Sequence, residues 1–114
     1  FELHDESSLI RAMRSSTPAG GAMIVTAGKQ GSWLSDSQGI WHFVPPAIPV
    51  VNPIGSGDAY AGGLAVGLWR KMSLIDACRL ATACAAANAM TQNAGQINAG
   101  DIAKLLEKVE ARQI

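Results

Sequence analysis

A strand that runs into a glycine turn and then into a helix is written into Val50-Val51-Asn52-Pro53-Ile54-Gly55-Ser56-Gly57-Asp58-Ala59. Two glycines flank a serine, and an acid stands where the helix begins. A helix start leaves several backbone N–H groups without intrahelical partners, and glycine lets an anion come up against them. The aligned peptide dipoles add positive potential at the same point. The pattern predicts an anion cradle with a carboxylate beside it. Asp58, at the head of the helix, is positioned to take a proton from an attacking hydroxyl, so its value as a base rests on placement. The same residues also suit a plain strand–helix turn with an acidic cap, and local pattern alone does not separate the two.

Rival motifs fail on their own requirements. Gly57 to Gly62 has Walker-like spacing, but Gly63 and Leu64 stand where Lys and Ser/Thr are needed. No G-x-G-x-x-G is present to hold a dinucleotide, and no G-x-S-x-G surrounds Ser56 as a hydrolase elbow requires. A second constellation is Thr26-Ala27-Gly28-Lys29-Gln30-Gly31, directly after an apolar strand. Ligands of parallel sheets bind beyond strand C-termini, where Thr26 offers a hydroxyl and Gly28 bare backbone to a phosphate. A plain β-turn accounts for the same residues. Asn88 is the third: an amide on an otherwise apolar helix face needs a partner, either a ligand or a neighbouring loop that it caps. With Gly95 beyond it, Asn88 can form one wall of an adenine slot.

Composition narrows the function classes. The 114 residues carry nine basic and nine acidic side chains, with no basic cluster beyond Arg70-Lys71. Neither nucleic acid nor a membrane surface is expected as partner. The most apolar run, Leu74 to Met90, is interrupted by Asp76, Arg79 and Asn88, so no span is expected. Cys78 and Cys84, six apart on an apolar helix, point to different sides and are read as buried free thiols, in keeping with a cytoplasmic setting. His4 and His42 cluster with neither cysteines nor acids in the sequence, and metal-ligand spacing is absent. The three tryptophans Trp33, Trp41 and Trp69 are read as packing residues.

The chain divides into a β-rich and then an α-rich half. Ser7 to Arg14 reads as a short helix, broken by Thr17-Pro18-Ala19-Gly20-Gly21. Ala22 to Thr26 reads as a strand buried on both faces. Ser32 to Ser35 and Ile40 to Val44 form a hairpin about Asp36-Ser37-Gln38-Gly39, stopped by Pro45-Pro46. Ile48 to Val51 reads as a last short strand. A helix from about Gly57 to Lys71 carries Ala59, Gly62, Gly63 and Val66 on one side, a small-residue face suited to close approach to a sheet. Ser73-Leu74-Ile75-Asp76 has capping-box spacing and announces a second helix, with Leu74, Cys78, Ala81, Ala85 and Asn88 on one face. Asn98-Ala99-Gly100-Asp101 opens a third, with Ile102, Leu105, Leu106 and Val109 at helical spacing. Strands followed by helices predict part of an α/β fold with a mostly parallel sheet. Two or three main-sheet strands do not close such a domain, and an N-terminal portion is expected to be missing; an independent small α/β domain is the alternative.

At these residues the chain resembles the PfkB, or ribokinase-like, carbohydrate kinases. Val51-Asn52-Pro53-Ile54-Gly55-Ser56-Gly57-Asp58 is similar to that family's D-T-x-G-A-G-D element, and Val25-Thr26-Ala27-Gly28-Lys29-Gln30-Gly31 to its upstream T-x-G-x-x-G. Order and separation both agree, and the resemblance spans nearly all of residues 1–114. It implies the C-terminal, nucleotide-binding part of a ribokinase-like three-layer α/β/α sandwich, without the sugar-binding region and lid. It further implies ATP and Mg2+, Asp58 as catalytic base, the amides of Gly55, Ser56 and Gly57 as anion hole, Thr26 and Gly28 near the ATP phosphates, and Asn88 by the adenine. Asn52-Pro53 in place of Asp-Thr, and Ser56 in place of Ala, resemble the hexose-phosphate branch that holds the tagatose-6-phosphate kinases and 1-phosphofructokinases. Pro53 removes one backbone donor, but ahead of the hole. The family's magnesium-linked N-x-x-E has no match and would lie upstream. The implied partners are a nucleotide, a sugar or sugar phosphate, and the remainder of the same polypeptide; residues 1–114 alone are expected to be inactive. A non-catalytic nucleotide-binding module and a nucleoside kinase of the same superfamily are the alternatives.

Overall fold

The computed structural model describes residues 5–91 and 98–114, so His4 and Gly95 lie outside the described residues. Helix α1, Glu6–Ser16, starts where Asp5 accepts the Ser7 N–H at 3.0 Å and the Ser8 hydroxyl at 2.9 Å. Those bonds, the Ser8 hydroxyl foremost, hold the Asp5 carboxyl below its ordinary range. Strands β1 (Met23–Thr26), β2 (Ser32–Asp36) and β3 (Gly39–Val44) follow, with a 3-10 turn at Gly28–Gln30. Three further helices, α2 (Ser56–Trp69), α3 (Leu74–Ala89) and α4 (Ala99–Leu106), precede strand β4, Glu110–Gln113.

The four strands make one sheet in the order β1-β2-β3-β4, every pair antiparallel. This corrects the mostly parallel sheet read from the sequence. Only a handful of residues join β1 to β2 and two join β2 to β3, whereas a parallel pair needs a crossover of about a dozen. Strand β1 is correspondingly half-buried at the end of the sheet, not covered on both faces. Ile48 to Val51 is not a strand; the Val51 and Asn52 N–H groups instead donate to the Ala89 carbonyl at 2.8 and 3.1 Å. The helical spacing through Val109 stops early: α4 ends at Leu106, Val109 is buried, and β4 follows.

Alternation along the strands sorts two cores. Leu34 and Phe43 face α3 and α4, meeting Cys78, Ala83, Ala86, Ala87, Leu105 and Val109. Trp33 and Ile40 face the other way and pack on Leu9 and Met13 of α1. Helix, sheet and helices thus form three layers, an α/β/α arrangement.

Helix α2 packs chiefly on α3, not on the sheet. A Cβ built on Gly63 would stand 2.9 Å from Cys84 Sγ and 3.0 Å from Ala81 Cα; on Gly67 it would stand 2.8 Å from Ala77 Cβ. Gly62 and Val66, expected on the contact face, are exposed. Helical geometry explains the swap: Tyr60, Gly63 and Gly67 share one face at i, i+3, i+7, and it is the buried one. Trp33 and Trp41 pack as expected, but Trp69 is 83% exposed near the end of α2. Both cysteines are buried and free, and burial pushes both thiols above their ordinary range.

Candidate functional site

The glycine turn is built by three local bonds. Asn52 Oδ1 accepts the Ile54 N–H at 3.0 Å, the Ser56 N–H reaches the Pro53 carbonyl at 3.2 Å, and Gly55 takes φ 84°, a conformation that L side chains rarely adopt. Helix α2 begins immediately after. Among the described residues no backbone carbonyl accepts from the N–H groups of Gly55, Gly57 or Asp58, the orphan donors expected of a helix start. Nothing lies within 4 Å of a Cβ built on Gly57, so its missing side chain leaves open space.

The second glycine turn is fixed differently. Ala27 N–H donates to the Gly31 carbonyl at 2.9 Å, and Gly31 at φ 95° presses so closely on β3 that a Cβ there would run into the Phe43 carbonyl oxygen. His42 on β3 anchors the same turn. Its Nε2–H donates to the Gln30 carbonyl at 2.8 Å, while Nδ1 accepts from Arg112 Nη2 of β4 at 2.9 Å. These two bonds together define the neutral Nε2–H imidazole. Glu6 Oε2 lies 3.8 Å from Nδ1 and 3.7 Å from the guanidinium. His42 therefore does sit beside an acid, contrary to the sequence reading, because the sheet brings α1 and β4 together over it. The Trp33 ring stacks on the imidazole with centroids 4.1 Å apart.

Between the two turns lies a cleft of about 770 Å³. Thr26, Gly28, Lys29 and Gly31 line one side and Ser56 and Gly57 another. Pro45, Pro46, Ala47, Ile48 and Val50, with Ala85, Ala86 and Ala89 of α3, make the rest of the lining largely apolar. Tyr60 and Thr82 also line it. The Tyr60 hydroxyl donates to Ser32 Oγ at 3.1 Å, and the Thr82 hydroxyl to the Cys78 carbonyl at 2.8 Å. With the Thr82 proton committed, Ser32 Oγ is the donor across its 3.4 Å contact with Thr82. This chain of hydroxyls ties β2, α2 and α3 together. Burial drives the Tyr60 phenol far above its ordinary range, which keeps it a neutral donor.

Of the residues singled out from sequence, Thr26, Gly28, Ser56 and Gly57 meet in this one cleft. Gly55 shapes the turn behind it. Asp58 is exposed on the first turn of α2, next to the lining residue Gly57 but not itself in the lining. Asn88 is 1% exposed, and its amide donates to the Ile54 carbonyl at 2.9 Å and to Ser56 Oγ at 3.4 Å. The geometry thus includes the loop-capping contact that was one of its two readings. Lys29 was passed over, although its place between the glycines of a turn was the available sign of a cation beside bare backbone. Among the described residues no group of three or more His, Cys, Asp or Glu is placed to hold a metal, and no helix is long and apolar enough to cross a membrane.

The chain is 32% identical over 92 residues to a tagatose-6-phosphate kinase of Staphylococcus epidermidis, covering 81% of this chain and 30% of that protein. It is 32% identical over 88 residues to a 1-phosphofructokinase of Escherichia coli, covering 77% and 28%. Its backbone superposes on phosphofructokinase-2 of Escherichia coli, solved with potassium, with a TM-score of 0.83 at 24% identity, over 94% of this chain and 35% of that one; at that identity the match shows the fold alone. The chain thus spans about a third of its relatives' length or less, and the three layers seen here are a portion of the ribokinase-like sandwich. The model of the pfkB family of carbohydrate kinases matches residues 2–99, and the chain belongs to that family.

Proposed function

We propose that this chain is the C-terminal, nucleotide-binding part of a kinase that transfers a phosphoryl group from ATP to a hydroxyl of a sugar phosphate. Tagatose 6-phosphate and fructose 1-phosphate, to which the names of the tagatose-6-phosphate kinase and 1-phosphofructokinase relatives point, are the first candidates. The observation that carries the reading is the convergence of two glycine turns on one cleft, the first through Thr26, Gly28, Lys29 and Gly31, the second through Ser56 and Gly57. Phosphoryl transfer needs little covalent chemistry from a protein; it needs positioning and stabilisation of charge on the phosphoryl oxygens. Backbone N–H groups at the head of α2 and the Lys29 ammonium supply the charge complement. The apolar lining from Pro45, Pro46, Ile48 and the alanines of α3 suits a nucleotide base.

In the transfer, the sugar oxygen forms a bond to the γ-phosphorus, the bond to the bridging oxygen breaks, and ADP leaves. Asp58 takes the proton of the attacking hydroxyl. The N–H groups of Gly55 and Gly57 receive the charge that develops on the phosphoryl oxygens, with Ser56 N–H joining when its long bond to Pro53 yields. Mg2+ would be held mainly by the nucleotide's phosphates, as such ions are bound through phosphates and one or two carboxylates, and would supply charge neutralisation there. Residues beyond this chain complete the sugar site, and residues 1–114 alone are inactive on this reading.

Asp58→Asn in the full-length protein is the test. It keeps shape but removes the proton acceptor, so turnover falls by roughly 10²- to 10⁴-fold with ADP affinity within a few-fold of the parent. Near-normal turnover would sink the base assignment. Nucleotide binding without turnover in the parent would favour a non-catalytic module instead.

A further inference from the structure

The end of α3 is fastened to the glycine turn and its lead-in at several points. The Ala89 carbonyl accepts from both Val51 and Asn52 N–H, at 2.8 and 3.1 Å. One residue earlier, the Asn88 amide donates to the Ile54 carbonyl at 2.9 Å and to Ser56 Oγ at 3.4 Å. Asn88 is 1% exposed, lies on the last turn of α3, and does not line the cleft. Its amide nitrogen reaches the carbonyl just before the left-handed Gly55 and the side chain just after it. It thereby brackets the residue whose left-handed conformation makes the turn, ahead of the N–H groups of Gly57 and Asp58 that no backbone carbonyl accepts among the described residues.

We propose that Asn88 is a positioning residue for the anion turn, setting the direction of its N–H groups, and not a contact for the nucleotide. This rests on the reading of Gly55–Gly57 as an anion hole. A buried amide that donates to two oxygens at once cannot be replaced by a carboxylate, which accepts only and would set negative charge against the Ile54 carbonyl. A turn displaced by a fraction of an ångström still admits nucleotide, because the apolar slot and Lys29 are untouched. It no longer meets the transferring oxygens, and small misplacement of such donors costs on the order of 10²-fold in rate. The effect therefore falls on kcat and not on KM for ATP.

The experiment uses the full-length protein and four forms: parent, Asn88→Asp, Asn88→Gln and Gly57→Ala. Steady-state kinetics are measured with ATP and the best sugar phosphate, alongside ADP titration and thermal melting. The expected result for Asn88→Asp is a kcat lowered about 10- to 100-fold, with KM for ATP and the ADP Kd within ~3-fold of the parent. Asn88→Gln keeps the donor on a longer arm and is expected to fall between parent and Asn88→Asp. If Asn88→Asp does not fold, Asn88→Gln carries the test, with lowered kcat at unchanged KM expected. A KM for ATP raised ~10-fold at unchanged kcat would mean that Asn88 touches nucleotide, and would overturn the proposal. Unchanged kcat would also overturn it. If Gly57→Ala is crippled while both Asn88 variants are normal, only this inference fails; if all three are normal, the anion-hole reading fails with it.

Discussion

Gly63 and Gly67 of α2 do a different job from Gly57, one to three turns earlier in the same helix. A side chain at Gly63 or Gly67 would collide with Ala81, Cys84 or Ala77 of α3, so those glycines are present because protein fills the space. At Gly57 a Cβ would meet nothing, although the residue lines the cleft. Glycine weakens a helix wherever it stands. In the first case tight helix–helix packing offsets that cost. In the second no protein contact does, and the room is left for something the chain itself does not supply. One residue type thus marks both the scaffold and the site, and only the surroundings tell them apart.

The comparison can be broken from the packing side first. Gly63→Ala forces Ala81 backbone and Cys84 apart, and overpacking of this kind costs about 1–3 kcal/mol. Denaturant unfolding of the full-length protein should show that loss, with turnover per folded molecule retained; an unchanged midpoint would mean that α2 and α3 are looser than described. Gly62→Ala gives the smallest effect. Nothing lies within 4 Å of its Cβ, and it faces solvent in mid-helix. The substitution should stabilise by about 0.5–1 kcal/mol without touching activity.

Much of the α-rich half was legible because its signals are local. Ser73 caps α3 through the Asp76 N–H at 3.1 Å, and Asn98 caps α4 through the Gly100 N–H at 2.7 Å, where their sequences place them. The hairpin is likewise declared by alternating apolar residues about a polar turn, with Asp36 paired to Gly39. Strand β4 was hidden because Glu-Ala-Arg-Gln has no buried face: all four residues are exposed, and the strand exists through backbone pairing with β3. Ile48 to Val51 misled for the opposite reason. It has strand-forming side chains, yet Pro49 lacks a donor and the next N–H groups are drawn to the end of α3. In the site, the two glycine turns were visible as motifs. That Asn88 caps a neighbouring loop was one of its two sequence readings; which loop it caps, and that His42 holds the other turn, was not legible, because both bonds go to main-chain carbonyls far away in sequence.

Gly57→Ala in the full-length protein is the most direct test of the open cradle, with thermal melting and turnover measured on one sample. The account predicts a protein slightly more stable than its parent, by about 0.5 kcal/mol, because alanine suits a helix better than glycine. It also predicts turnover reduced about 100-fold, because the added methyl occupies the space assigned to the phosphoryl oxygens and holds them off the backbone N–H groups. A Gly57→Ala protein that melts higher and still turns over like the parent would contradict the claim that this space is kept for phosphate.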